Sequence, residues 1–144
     1  MFERLIYTSR VSEGVAIRDV YDIIRMSHNR NSASGLTGAL LFLDGYFTQI
    51  LEGSPYALDE RYKRILADPR HEDVELRLRE YDVAPLFPTD WMALRSSEEI
   101  APEIFGKHSY HPGLPKPFFD GYKIQNFMLD CFAPIPEEAG VYRT

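Results

Sequence analysis

Residues 36–53 read LTGALLFLDGYFTQILEG, two β-rich runs joined by Asp44-Gly45. An Asp-Gly pair suits the positive-φ positions of a type I′ turn, so the stretch predicts a hairpin. Ahead of it, residues 2–9 (FERLIYTS) predict a short strand, with Leu5 and Tyr7 on one face and Arg4 and Ile6 on the other. Residues 15–28 predict a helix, because Ile17, Val20, Tyr21 and Ile24 follow an i, i+3, i+4, i+7 stripe. A polar break, NRNSASG, separates that helix from the hairpin. After the hairpin, Ser54-Pro55 marks a helix start, a capping hydroxyl followed by proline at the first position. Leu58, Tyr62, Ile65 and Leu66 carry its apolar stripe, and Asp68-Pro69 stops it. Residues 73–82 (DVELRLREYD) alternate and predict a strand, and a fifth strand is expected around Trp91–Arg95.

The order is β-α-β-β-α-β with one strand added, which is the α+β, ferredoxin-like pattern. In that arrangement the first and third strands lie side by side at the sheet centre, and both helices cover one face. Tyr7 and Gln49 become neighbours beneath the helices, a placement that a one-residue slip of register would undo. Beyond Ser97 the character changes. The chain divides into a unit at residues 1–97 and an extension at 98–144: a Pro/Gly-rich loop (HPGLPKPFF), a short helix at Ile124–Phe132 and a loose tail (APIPEEAGVYRT).

Composition narrows the function. At 44% hydrophobic and 26% charged, 144 residues form one ordinary globular domain with a core. A net charge of −6 gains nothing from counterion release, so nucleic acid and anionic lipid surfaces are not expected partners. No apolar run approaches the roughly 20 residues of a spanning helix, and no signal-peptide core precedes the first strand. A single cysteine, Cys131, fits a reducing cytoplasm. There is no Gly-rich phosphate loop, G-x-S-x-G elbow or H-E-x-x-H, so no enzyme is expected. His108 and His111 sit in the proline-rich loop without cysteines or clustered carboxylates, and read as solvated rather than metal-binding.

Polar residues inside apolar runs are the anomaly. Gln49 interrupts YFTQILEG on the strand face of Phe47 and Leu51. A buried amide without partners costs about 1–3 kcal/mol. On pattern alone a solvated face, or a local backbone bond, is the favoured reading of Gln49. Tyr7 alone reads as core packing, and Asn31 alone as post-helix loop chemistry.

Together these residues say more. The string N-S-A-S-G-L-T-G-A-L-L-F-L-D-G-Y-F-T-Q-I-L-E-G (31–53), with L-I-Y-T-S (5–9) and D-P-R-H (68–71), resembles the BLUF family of flavin-based blue-light sensors over roughly residues 2–96. The resemblance implies a photoreceptor without catalysis, binding FAD (or FMN) non-covalently. By position, Tyr7 matches the redox-active tyrosine, Gln49 the glutamine between it and the flavin, and Asn31 the asparagine on the polar edge of the ring. Ile23 and Ser27 match ring-lining positions on the first helix, and Ile65 the aliphatic residue on the opposite side. Arg64, Asp68, Arg70 and His71 match polar positions around the ring edge and ribityl-phosphate chain. Arg30 reaches a flavin carbonyl or is solvated. Signalling passes through a homo-oligomer or a separate effector protein, with the fifth strand and residues 118–132 as candidate surfaces. A ferredoxin-like ligand-binding module without photochemistry is the alternative.

One departure concerns the end of the region. The family pattern is phenylalanine, two residues, then W-x-M, whereas this chain runs Phe87-Pro-Thr-Asp-Trp91-Met92-Ala93. Either Trp91 keeps its place and Ala93 replaces the methionine, or Met92 keeps its place and Asp90 fills the tryptophan slot. The signalling position falls to Trp91 or Met92.

Overall fold

In the computed structural model the first strand is β1 (Glu3–Val11), followed by α1 (Ile17–Ser34), β2 (Thr37–Leu43), β3 (Tyr46–Gly53), α2 (Pro55–Ala67), β4 (His71–Tyr81) and β5 (Ala93–Ser96). Two short helices follow, α3 (Pro102–Lys107) and α4 (Gly121–Cys131). The structure describes residues 2–133 except Asp82 and Trp91, and the side chains of Ile17, Tyr21, Ile24 and Ser27 are likewise outside the description. The expected loose tail, apart from Ala133, lies outside the described residues.

The predicted turn chemistry is present. Asp44 and Gly45 have φ of 54° and 82°, both in the left-handed region a type I′ turn needs. Ser54 caps α2 by accepting from the Ala57 N–H, with Pro55 at the first helical position. The first helix differs from its predicted span. It continues through the polar NRNSAS stretch and ends only at Gly35, whose φ of 71° lets the Leu36 N–H reach back to the Asn31 carbonyl at 2.9 Å. Asparagine and serine are poor helix formers, but tertiary burial overrides propensity, and Asn31 is fully buried. Of the predicted stripe, Val20 is in the core.

The sheet order is β4-β1-β3-β2-β5, antiparallel except for the β2–β5 pair. This is the ferredoxin-like arrangement, with β1 and β3 central. Period-2 alternation sends neighbouring residues of these strands into different cores. Leu5, Tyr7, Leu40, Phe47 and Leu51 point to α1 and α2, where they meet Val20, Leu58 and Ile65. Ile6, Ala39, Leu41 and Ile50 point the other way and meet Ile124, Phe127, Met128 and Cys131 of α4.

The chain beyond Ser97 is therefore more than loop and appendage. The 3₁₀ turn at Ser97–Glu99 and α3 were not anticipated, because so short a segment carries too few turns for a periodic pattern. The predicted short helix starts earlier, at Gly121, where Asp120 accepts from the Lys123 N–H. Its apolar face is buried against the sheet, leaving Phe118 and Tyr122 as the exposed large hydrophobic side chains of the 118–132 segment. Tyr110 stacks on Phe127 with ring centroids 5.5 Å apart and donates to Asp44 at the hairpin tip, 2.6 Å away.

A buried ionic network fixes the β4–β5 connection on this side. Glu52 is 1% exposed; its carboxylate accepts from the N–H groups of Leu86 and Phe87 at 2.7–2.9 Å and from Arg4 Nε at 2.9 Å. Arg4 also donates to Glu80 at 2.9 Å and to the Ala84 carbonyl at 2.7 Å.

Phe127→Ala should lower unfolding stability by about 3–5 kcal/mol, the range for emptying a buried aromatic site, as measured in urea melts. A loss below about 1 kcal/mol would show α4 to be a dispensable cover. Glu52→Ala leaves Arg4 Nε and two N–H groups without their acceptor, while Arg4 keeps Glu80 and the Ala84 carbonyl, so it should cost about 2–4 kcal/mol. Glu52→Gln keeps partial hydrogen bonding and should lose less.

Candidate functional site

Tyr7 and Gln49 are directly opposed in the β1–β3 register, beneath α1 and α2. Each is only 4% exposed. The Tyr7 hydroxyl donates to Gln49 Oε1, and Gln49 Nε2 donates to Met92 Sδ at 3.4 Å. Gln49 is thus a buried, partnered amide, which corrects the solvated reading favoured by pattern alone. The two ends of the amide face different neighbours, a phenol on one side and a thioether on the other.

A cleft of about 580 Å³, counted with its solvent-open mouth, lies between α1, α2 and the strands. Of the residues singled out from sequence, Tyr7, Ile23, Arg30, Gln49, Arg64, Ile65, Asp68, Arg70 and His71 line it. Asn31 is fully buried in α1, one position beyond Arg30, and is not part of the lining. Met92 is 7% exposed and sits in the same core cluster as Tyr7. The Ser27 side chain and Trp91 lie outside the described residues.

Four lining residues were missed: Met26, Leu40, Phe47 and Arg61. The signal for three of them was available. Phe47 shares a strand face with Gln49, Met26 lies one helical turn beyond Ile23, and Arg61 lies one turn before Ile65. Leu40 is found only through pairing, because it sits opposite Gln49 in the β2–β3 register.

Burial sets the protonation states. It pushes the Tyr7 phenol well above the usual tyrosine range, with Asp68 and Tyr62 adding to the effect and Arg61 opposing it. The proton on Tyr7 is therefore firmly held. Hydrogen bonds from Arg70, at 2.6–3.2 Å, hold the Asp68 carboxyl below its ordinary value. His71 Nε2 lies 2.6 Å from the Ile65 carbonyl, so it carries a proton and donates; Nδ1 then accepts from Ser9 Oγ at 2.8 Å in the neutral ring. The site thus has apolar walls from Ile23, Met26, Phe47 and Ile65, with a hydrogen-bonding floor from Tyr7 and Gln49. That combination suits a flat aromatic ligand with a polar edge.

Among the described residues no cluster of His, Cys, Asp or Glu is placed to hold a metal ion. No helix among them is long and apolar enough to cross a membrane.

Comparisons with known proteins agree with this geometry. The family model described as "Sensors of blue-light using FAD" matches residues 2–93. The photoactivated adenylate cyclase subunit beta of Euglena gracilis is 35% identical over 100 residues, covering 67% of this chain and 11% of that protein. The blue light- and temperature-regulated antirepressor BluF of Escherichia coli is 32% identical over 112 residues, 74% of this chain and 28% of that protein. This chain therefore spans about a tenth and about a quarter of those two relatives. The dark-state structure of BlrB, a BLUF protein, superposes with a TM-score of 0.72 at 31% identity, covering 89% of this chain and 95% of that one. Motif string, fold and buried Tyr7–Gln49 pair converge with these matches: the chain belongs to the BLUF family, the blue-light sensors that use FAD.

Proposed function

We propose that the chain is a blue-light photoreceptor in which Tyr7 and Gln49 form a light-driven hydrogen-bond switch against a non-covalently bound flavin. The observation that carries this is the ordered chain Tyr7 O–H to Gln49 Oε1, and Gln49 Nε2 to Met92 Sδ, at the floor of the cleft between α1 and α2. A flavin fits the donor set: the walls suit the ring faces, and Gln49 and Arg30 suit the polar edge, with Asn31, matched to that edge by the family resemblance, buried one residue beyond Arg30. Bound flavin supplies the chromophore and, when excited, a strong one-electron oxidant.

Tyr7 is the oxidisable group and holds its proton in the dark, because burial disfavours the phenolate. Gln49 accepts that proton's hydrogen bond through Oε1 and offers two N–H donors on its other side. Rotating or tautomerising the amide exchanges these roles. It would place a donor toward Tyr7 and turn an acceptor toward Met92, whose sulfur cannot donate. The two arrangements are discrete because every group involved is buried. Met92 thus fills the signalling position in this reading, since it registers which end of Gln49 faces it.

The rest of the proposal follows from what this chain holds. Residues 1–97 carry the flavin site; residues 98–133 cover the opposite sheet face, and the 98–144 extension serves assembly. The chain has no catalysis of its own, works in the cytoplasm, and passes its signal through a homo-oligomer or a separate effector protein. The family description supports FAD, with FMN, which shares the ring, as the alternative.

The purified protein should be yellow and release its flavin on acid precipitation. Tyr7→Phe and Gln49→Leu should retain flavin yet lose the reversible red shift in a light-minus-dark spectrum. Phe removes the phenol and Leu removes the amide that rearranges. Asn31→Ala should instead weaken flavin binding, read as reduced flavin content. A normal red shift in both Tyr7→Phe and Gln49→Leu would sink the switch mechanism, and a protein that stays colourless when offered flavin would favour a simple ligand-binding module.

A further inference from the structure

Most buried or half-buried arginines of this chain have acceptors. Arg4 meets Glu52 and Glu80, Arg70 meets Asp68, Arg77 meets the Leu114 and Phe119 carbonyls, and Arg79 meets Glu3 and Asp59. Arg61 breaks the pattern. It is 7% exposed, yet among the described residues no carboxylate or carbonyl bonds its guanidinium. Its charged neighbours are of the same sign: Arg30 across the cleft on α1, and Arg64 one turn along α2. These two are solvent-exposed at the mouth and likewise have no acceptor among the described residues. Burial and both neighbours weaken the hold of Arg61 on its proton. In a chain of net charge −6, such a cluster runs against the overall balance.

A desolvated guanidinium beside two others is destabilising unless an anion completes it. The ring edge of a flavin offers neutral carbonyls, which hydrogen-bond but do not neutralise. The cluster also extends away from the ring cleft. Arg61 and Arg64 line both that cleft and an adjoining one bounded by Ser34, Ser54 and Glu60, where α1 ends and α2 begins. Glu60 points its carboxylate to Lys63 at 3.5 Å. Arginine is suited to such a site, because its planar fork matches phosphate oxygens.

We propose that Arg61, with Arg64 at the mouth, is the phosphate-recognition element of the pocket and makes the chain select phosphorylated flavins over riboflavin. This rests on the flavin reading above and adds a specificity to it. FMN brings a phosphate monoester and FAD a pyrophosphate, whereas riboflavin has the same ring and ribityl chain without the anion.

The test uses flavin-free full-length protein titrated with riboflavin, FMN and FAD by flavin fluorescence. FMN and FAD should bind at least roughly tenfold tighter than riboflavin, the factor expected of one charge-assisted contact, and the advantage should shrink as salt rises. Arg61→Met should cut the FMN-to-riboflavin affinity ratio by roughly 10–100-fold, and Arg61→Lys should restore part of it. Inorganic pyrophosphate alone should raise the melting temperature of the flavin-free wild type and leave that of Arg61→Met unmoved. Equal affinity for all three flavins, or an unchanged ratio in Arg61→Met, overturns the phosphate assignment while leaving the flavin site intact. Failure to bind any flavin overturns the flavin reading and this proposal with it. If Arg61→Met does not fold, the wild-type affinity ratio, its salt dependence and the pyrophosphate shift decide the question.

Discussion

Eight consecutive residue pairs join β1 to β3, from Glu3 opposite Gly53 to Arg10 opposite Tyr46, and the placement of every functional group depends on that register. Tyr7 meets Gln49 in this register and in no other. The same alignment sets Arg4 opposite Glu52 three pairs away, with side chains on the other face. The register is well determined because both faces of these strands are buried, and a slip would drive Arg4 and Glu52 into the apolar helix side. Hydrophobic burial drives the sheet together, while the ionic pair punishes the alternatives.

The two faces are connected through the chain between β4 and β5. At one end, Glu52 holds the Leu86 and Phe87 N–H groups on the α4 side. At the other, Met92 stands against Gln49 on the α1–α2 side. Phe87 packs edge-on to Phe132, just past α4, with centroids 5.6 Å apart. The connection therefore runs past the sheet with an anchor in each core. Gln49 thus touches a residue that is covalently tied to the opposite side.

Much of this was legible in the sequence. Asp44-Gly45 and Ser54-Pro55 are local signals whose physics needs no tertiary context, and both produced the elements they announce. The alternation on β1 and β3 gave the faces, and of the predicted α2 stripe Leu58, Tyr62 and Ile65 pack on the core while Leu66 is exposed. What escaped was decided at long range. NRNSAS reads as a break because its residues prefer other conformations, yet α1 passes through it until Gly35 permits a left-handed turn. Gln49 looked solvated because strand alternation alone does not say that both faces are covered. Arg61 was passed over because a lone arginine on a helix is ordinary; only burial without an acceptor makes it unusual. The role of α4 was hidden in the same way, since a short apolar helix near a chain end gives no hint of the face it covers.

The alternation of β1 and β3 also governs how this chain can change length over evolution. Inserting or deleting one residue in either strand would exchange the contents of the two cores from that point on, so these segments are open to substitution but closed to insertion. The β4–β5 connection is under no such rule. Its backbone is held at Glu52, at Asp90, whose carbonyl accepts from the Gly38 N–H at 2.9 Å, and at the start of β5, so a residue more or less at Pro88 and Thr89 changes only the slack. The Phe87–Met92 stretch, where the spacing departs from the family pattern, lies in that tolerant connection, so drift in length there is compatible with keeping a sulfur beneath Gln49.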